Sequence, residues 1–379
     1  MSQLWTLAGA FDAGHIRGGT PGWERELDFH QLELTGHDQQ LEADYRLFRE
    51  EFGLTMFRDG AWLRRTCPRP GEYDWSHMDR LAEVSQGQVF VSLCHYEWLP
   101  WITEDDVWNG RAIDAMTEFA GEAARRYRGR FAGYLPVVEI GYWTAMMTDW
   151  GRWWPSKNGV KASSWWRMYG VTGRIMTGMA RAIRDADPDA TIALSEPWAW
   201  HPHMPLEDQG RPFSTLLGRP DPVAKRECGD DQWGGDPSLL QVVGLNFYNN
   251  WGTYAGWPLS RLLLEARKQY PDQRIVMGET GNCHFSHCHS VEGWLTLINE
   301  QVEEANRLGA RVEAVTWAPI LTLGDFDWGT PAPGAWVTWS ADDPRRERHW
   351  DPAVARAVRQ FSGEVSLPFK RGTSRATLL

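Results

Sequence analysis

Eight short apolar runs recur along the chain: Trp5–Phe11, Leu54–Arg58, Gln88–Cys94, Gly133–Glu139, Ala190–Ser195, Leu240–Phe247, Arg274–Glu279 and Val312–Trp317. Each is rich in β-branched or aromatic residues, the pattern of a strand buried on both faces. Helical stripes lie between them. Leu41, Tyr45, Phe48 and Phe52 recur at three- and four-residue steps, and Gly53 stops that helix. Ile113, Met116, Phe119, Ala120, Ala123 and Tyr127 form a second stripe, and Met168 to Ile183 a third that ends before Pro188. Trp294, Leu295, Ile298, Val302, Ala305 and Leu308 form another, closed by Gly309. Strict alternation of this kind requires parallel strands joined by crossover helices. The expected fold is a single (β/α)8 barrel over residues 1–367, followed by a loose tail at 368–379.

The connections are lopsided. Helix-to-strand links are tight, as in Phe52-Gly53-Leu54 and Asp187-Pro188-Asp189. Strand-to-helix links are long: Trp98–Asn109, Ile140–Ser163, Pro197–Ser238, Thr280–Ser290 and Pro319–Trp350. Barrel enzymes build their sites from the loops that follow the strands, so the site is expected at that face.

Two glutamates end strand-like runs on that face. Glu139 closes YLPVVE and Glu279 closes RIVMGE, on the fourth and seventh strands. Those strands face each other across a closed eightfold barrel. Two carboxyls so placed suit cleavage of a glycosidic bond, one protonating the leaving oxygen and one attacking the anomeric carbon. Glu139 follows Pro136, Val137 and Val138 and precedes Ile140, an apolar setting that favours a protonated acid. The chain also carries 24 Trp, many in polar, Gly- and Pro-rich segments. Trp98, Trp101, Trp150, Trp153, Trp198, Trp233 and Trp251 are among them, and flat indole faces suit stacking on sugar rings.

A net charge of −11 argues against nucleic acid and anionic membranes as partners. No apolar run reaches 18 residues, and the first residues lack a basic segment followed by an apolar stretch. Five cysteines without framework spacing favour a reducing compartment, so a cytoplasmic protein is expected.

Six segments, in order, resemble the retaining (β/α)8 glycosidases, most closely the family 1 β-glycosidases. MFRDGAWLRR with the following PGEYDWSHMDRL is similar to the second-strand region of that family. VSLCHYEWLP resembles LYHWDLP, LPVVEIGY stands in the place of TxNEP, and VVGLNFYNN resembles IGLNYYT. IVMGETGN resembles the ITENG nucleophile motif, and TWAPILTLGDFDWG resembles WSLLDNFEW. The resemblance implies a retaining hydrolase of a small glycoside that needs no cofactor. It implies Glu279 as nucleophile and Glu139 as acid/base. It also implies that Arg58 and Tyr248 hold the Glu279 carboxylate and that His95 and Asn246 contact sugar hydroxyls. Trp317 would stack beneath the ring, and Asp327 and Trp328 would reach its distal hydroxyls.

The pattern breaks in four places. Val138 stands where the family has the Asn that binds the sugar 2-hydroxyl, and Ile140 where it has Pro. Ser195-Glu196-Pro197, at the fifth strand, looks more like the family's acid motif than the fourth strand does. Glu196 is therefore expected as an extra carboxyl near the mouth, contacting substrate or tuning Glu139, or as the acid itself if the strand count is off by one. AGAFDAGHIRGG lacks the family's Gln-x-Glu, with Asp12 and His15 both open as substitutes. Cys283–His289 is dense in potential zinc ligands, but its spacing matches no finger, and a polar loop is the simpler expectation. Val138 also leaves room for a barrel that binds a sugar or aromatic ligand without turnover, and the same two carboxyls would equally serve a hydrolase of a non-sugar substrate.

Overall fold

Phe57-Arg58-Asp59-Gly60 shows how the strands divide their work. Alternate residues of a strand face opposite sides. Asp59 turns out to the helix His37–Glu50, where it meets His37 and Tyr45, while Arg58 turns into the barrel and meets Glu279. The same division repeats around a cylinder. A computed structural model describes residues 5–19, 26–156, 163–197, 210–230, 233–248, 258–281, 290–326, 331–332 and 334–362.

The barrel strands are β1 (Thr6–Ala10), β2 (Phe57–Gly60), β3 (Val89–Ser92), β4 (Gly133–Leu135), β5 (Ala193–Pro197), β6 (Val242–Asn246), β7 (Arg274–Thr280) and β8 (Val312–Trp317). All their pairings are parallel, and β1 joins β8 with Thr6 opposite Ala314. The last seam, β4 to β5, closes through parallel bridges Tyr134↔Ile192 and Val138↔Ser195. The eight expected strands are therefore the barrel, in the expected order. Ala8, Met56, Phe90, Leu135, Val138, Ala193 and Val242 form one apolar layer. A larger core binds the strands to the surrounding helices, among them Arg111–Arg126, Trp165–Ala186 and Val291–Arg307.

The long loops carry more structure than their sequences announce. A hairpin of His15–Gly19 and Glu26–His30 follows β1, and the helix Ile140–Met147 begins directly after Glu139. Glu104–Asn109 is a one-turn helix set by a capping box between Thr103 and Asp106. Pro222–Cys228 starts at a proline capped by Asp221. These pieces are too short for hydrophobic periodicity to mark them. Asp327, Trp328, Trp198, Trp251, the Cys283–His289 segment and the tail from 368 lie outside the described residues. Among the described residues no helix is long and apolar enough to cross a membrane.

Behind β2 lies a buried charge network. His37 sits between Asp44 at 2.7 Å and Asp59 at 3.1 Å and stacks on Phe11 with ring centroids 3.8 Å apart. Arg348 completes it with bonds of 2.8 and 2.7 Å to the two oxygens of Asp44. Burial opposes charge on the imidazole, but the charge and hydrogen bonds of Asp59 and Asp44 outweigh it and push the His37 pKa up to about 9. A folded value above the unfolded one gives stability that is complete below an ordinary His pKa of about 6.5 and is lost as pH rises through the folded value. The melting temperature is therefore expected to fall between pH 7 and about pH 9.5, and His37→Gln to flatten that fall. Calorimetry that finds the same pH dependence in both chains would overturn this role for His37.

Candidate active site

Glu279 lies in β7, and Arg58 reaches it from β2. The Arg58 guanidinium donates to Glu279 Oε1, with both side chains nearly inaccessible to solvent. Burial works against the Arg58 charge, but the Glu279 carboxylate more than offsets this and raises the Arg58 pKa. Tyr248, just beyond β6, donates to Glu279 Oε2 at 2.8 Å. Both oxygens of Glu279 thus have donors, one of them a cation.

Glu139 has a different environment. It is the last residue before the helix Ile140–Met147, with left-handed backbone angles of φ 48° and ψ 51°. For a residue with a Cβ this conformation costs about 1–2 kcal/mol. Its N–H donates to Ser195 O at 2.9 Å, and its carbonyl accepts from Trp143 N at 2.8 Å. The carboxyl is buried and contacts two neutral donors. Asn246 Nδ2 donates to Oε1 at 2.6 Å, and the Tyr96 hydroxyl donates to Oε2. Burial first, and the nearby Glu279 charge second, push the Glu139 pKa up to about 8.

Asn246 joins the two halves. It pairs with Glu279 across the β6–β7 seam, and its Oδ1 accepts from Ser195 Oγ at 2.6 Å, which turns the amide NH2 toward Glu139. Gly278 makes room for this link, since a Cβ there would stand 2.6 Å from Asn246 Oδ1.

His95 is buried beside this pair, with Nδ1 3.7 Å from Asp12 Oδ1. Burial and then the Arg58 charge push its pKa down to about 3, so it is a neutral imidazole. Of the two open candidates after β1, Asp12 borders His95, whereas His15 points away to Asp28 at 2.7 Å. Glu196 is held by backbone, accepting from Ile140 N at 2.5 Å and Gly141 N at 3.2 Å. Its side chain therefore closes the first turn of the helix that Glu139 begins, an anion-favouring position. Burial, followed by the Glu139 charge, still raises its pKa well above the carboxylate range. Trp317 is fully buried and leans on Trp336 at 5.1 Å. Val138 is fully buried in the barrel's apolar layer, so it offers nothing polar to a ligand. The sequence gives no role to Tyr96, whose only cue is that it stands where the resembled motif has Trp.

No family model matches this chain, and no curated protein matches it in sequence. Solved structures do share its fold. The AHE enzyme from Alicyclobacillus herbarius superposes with a TM-score of 0.75 at 13% identity, over 96% of this chain and 99% of its own. The family 1 β-glucosidase from Thermotoga maritima gives 0.72 at 12%, over 95% and 98%. A β-glucosidase from Exiguobacterium marinum gives 0.75 at 14%, over 96% and 98%. The chain has the (β/α)8 fold of these proteins over nearly its whole length.

The two donors on Glu139 favour its anion, so they lower its proton affinity against the effect of burial. Tyr96→Phe removes one of them without removing the ring. The Glu139 pKa is expected to rise, moving upward the basic limb of any activity that needs Glu139 protonated. The pH dependence of kcat/KM, or a direct NMR titration of Glu139, measures this. An unmoved pKa in a folded Tyr96→Phe protein would show that the hydroxyl does not act on the carboxyl.

Proposed function

We propose that this protein hydrolyses the glycosidic bond of a small glycoside with retention of configuration. The observation that carries the reading is the unequal treatment of two buried carboxyls in one cleft. Glu279 faces a guanidinium and a phenol, which together hold both of its oxygens. Glu139 faces an amide and a phenol in an apolar surround, which leaves a proton on it near neutral pH.

In the first step Glu279 forms a bond to the anomeric carbon while the bond to the leaving oxygen breaks and Glu139 gives that oxygen its proton. In the second step Glu139, now an anion, takes a proton from water. The water oxygen bonds to the anomeric carbon and frees Glu279. Arg58 and Tyr248 hold the attacking carboxylate. Asn246 contacts Glu139 and neighbours Glu279 in register, so it is placed to hold both carboxyls or a sugar hydroxyl between them. His95 and Asp12 suit further hydroxyls, and Trp317, Asp327 and Trp328 are assigned to the sugar by the family resemblance. Buried Val138 keeps alive the second reading, a barrel that binds such a ligand without turning it over.

Retention requires carboxyl oxygens about 5–5.5 Å apart, and inversion about 6.5–9.5 Å. Proton NMR of freshly released sugar is expected to show the substrate's own anomer first. Glu279→Gln keeps the volume but cannot attack, so turnover of aryl glycosides should fall at least about a thousandfold in a folded protein. Near-normal turnover in that variant ends the covalent mechanism. Binding without turnover in the unaltered chain decides for the second reading.

A further inference from the structure

Tyr96, whose hydroxyl meets Glu139, also lines a cavity of about 150 Å³. The hydrolytic steps use none of its charged residues. Arg17 and Asp28 come from the hairpin after β1, Arg64 from the turn after β2, and Tyr96 and Trp153 form aromatic walls. Two guanidiniums therefore line the same cavity as one carboxylate. Asp28 is already engaged, with His15 Nε2 at 2.7 Å and Arg64 Nη1 at 3.0 Å. Arg17 stacks over Trp154 at 4.7 Å and remains exposed. Two guanidiniums lining one cavity stand out in a chain of net charge −11.

The walls are held before any ligand arrives. Buried Glu97 accepts from the backbone N–H groups of Leu63 at 2.8 Å and Arg64 at 2.7 Å. Trp153 bridges to Gly18, and Trp154 N donates to Arg17 O at 2.8 Å. His15 N donates to His95 O at 3.2 Å, tying the hairpin to the active-site loop. A pocket fixed in this way loses little order on binding. Guanidinium forks pair with carboxylate and phosphate oxygens, and the aromatic walls suit a ring that carries such a group.

We propose that this cavity binds the anionic group, a carboxylate or a phosphate, of a glycoside whose scissile bond lies at Glu139 and Glu279. This rests on the hydrolase reading for the position of the bond, but the binding itself does not. Tyr96 is the shared wall: one side of the residue lines the cavity while its hydroxyl meets the acid. The charged group then sits one residue's width from the leaving oxygen, on the sugar or on the aglycone.

The test is titration calorimetry on the full chain carrying Glu139→Gln, which removes the proton donor and leaves the buried Arg58–Glu279 pair intact, so that binding is read without turnover. The probes are phenyl β-D-glucoside, phenyl β-D-glucuronide, 4-carboxyphenyl β-D-glucoside and phenyl β-D-glucoside 6-phosphate. At least one anionic probe is expected to bind about tenfold or more tighter than the neutral one, with an advantage that shrinks as salt rises. A preference for the glucuronide or the 6-phosphate puts the charge on the sugar, and one for the carboxyphenyl compound puts it on the aglycone. Adding Arg17→Gln or Arg64→Gln should remove most of the advantage, and Arg17 is exposed enough for its variant to fold. Equal affinities for all four probes, or an advantage that survives both substitutions, overturns the proposal. Turnover of the neutral glycoside without any anionic preference would sink the pocket and leave the hydrolase reading standing. Anionic preference without turnover in the unaltered chain would do the reverse.

Discussion

A buried guanidinium opposite a buried carboxylate is the constraint on which the site depends. Moving either ion out of water costs several kcal/mol, which only close pairing with satisfied hydrogen bonds offsets. Arg58 and Glu279 come from β2 and β7, which are not neighbours in the sheet and meet only because it closes on itself. The pair therefore requires the closed barrel, and an unpaired Arg58 would be a severe fault in it. Glu139 lies in the same low-dielectric cleft, and among the described residues no cation bonds to its carboxyl. Burial alone does not distinguish the two carboxyls. Arg58 does, and the different work proposed for each follows from it.

Much of this was legible in the chain. Strands buried on both faces must be continuously apolar, so all eight showed themselves, and Glu139, Glu279 and Arg58 were visible as charges at their ends. What failed to show is what tertiary contact decides. The hairpin after β1 has neither strong alternation nor a recognisable turn. Tyr96 looked like any aromatic in an apolar loop, and its contact with Glu139 depends on a left-handed backbone at residue 96, with φ 60°. Glu196 resembled the acid because Ser-Glu-Pro resembles the motif. Only the chain path shows that the free N–H groups of Ile140 and Gly141 take its oxygens.

The substitution at Val138 looks different once the neighbours are known. In the resembled family an amide stands directly before the acid. Here that position faces the barrel's apolar layer, where an amide would lack partners. An amide is nevertheless present in the cleft, on β6 rather than β4. Asn246 meets Glu139 with one end and Ser195 with the other. The resembled IGLNYYT segment carries the same amide, so Asn246 is retained rather than substituted for the one missing at 138, and Gly278 supplies the space for its link to Ser195.

The outer face of β2 bears on the same site. Arg58 and Asp59 are adjacent, so anything that holds Asp59 also sets where Arg58 emerges. Asp59 accepts from Tyr45 at 3.1 Å and from its neighbour Gly60 N at 2.7 Å, and it contacts His37 at 3.1 Å. His37 in turn is held by Asp44, which Arg348 grips from the far end of the chain. β2 is thus clamped on both faces by ion pairs, the inner one in the cleft and the outer one behind it. Breaking the outer clamp leaves Arg58 with its partner but without a fixed root. Such a change acts on the position of the Glu279 carboxylate while touching nothing in the cleft, and a displacement of about 1 Å is enough to matter in a site of this kind.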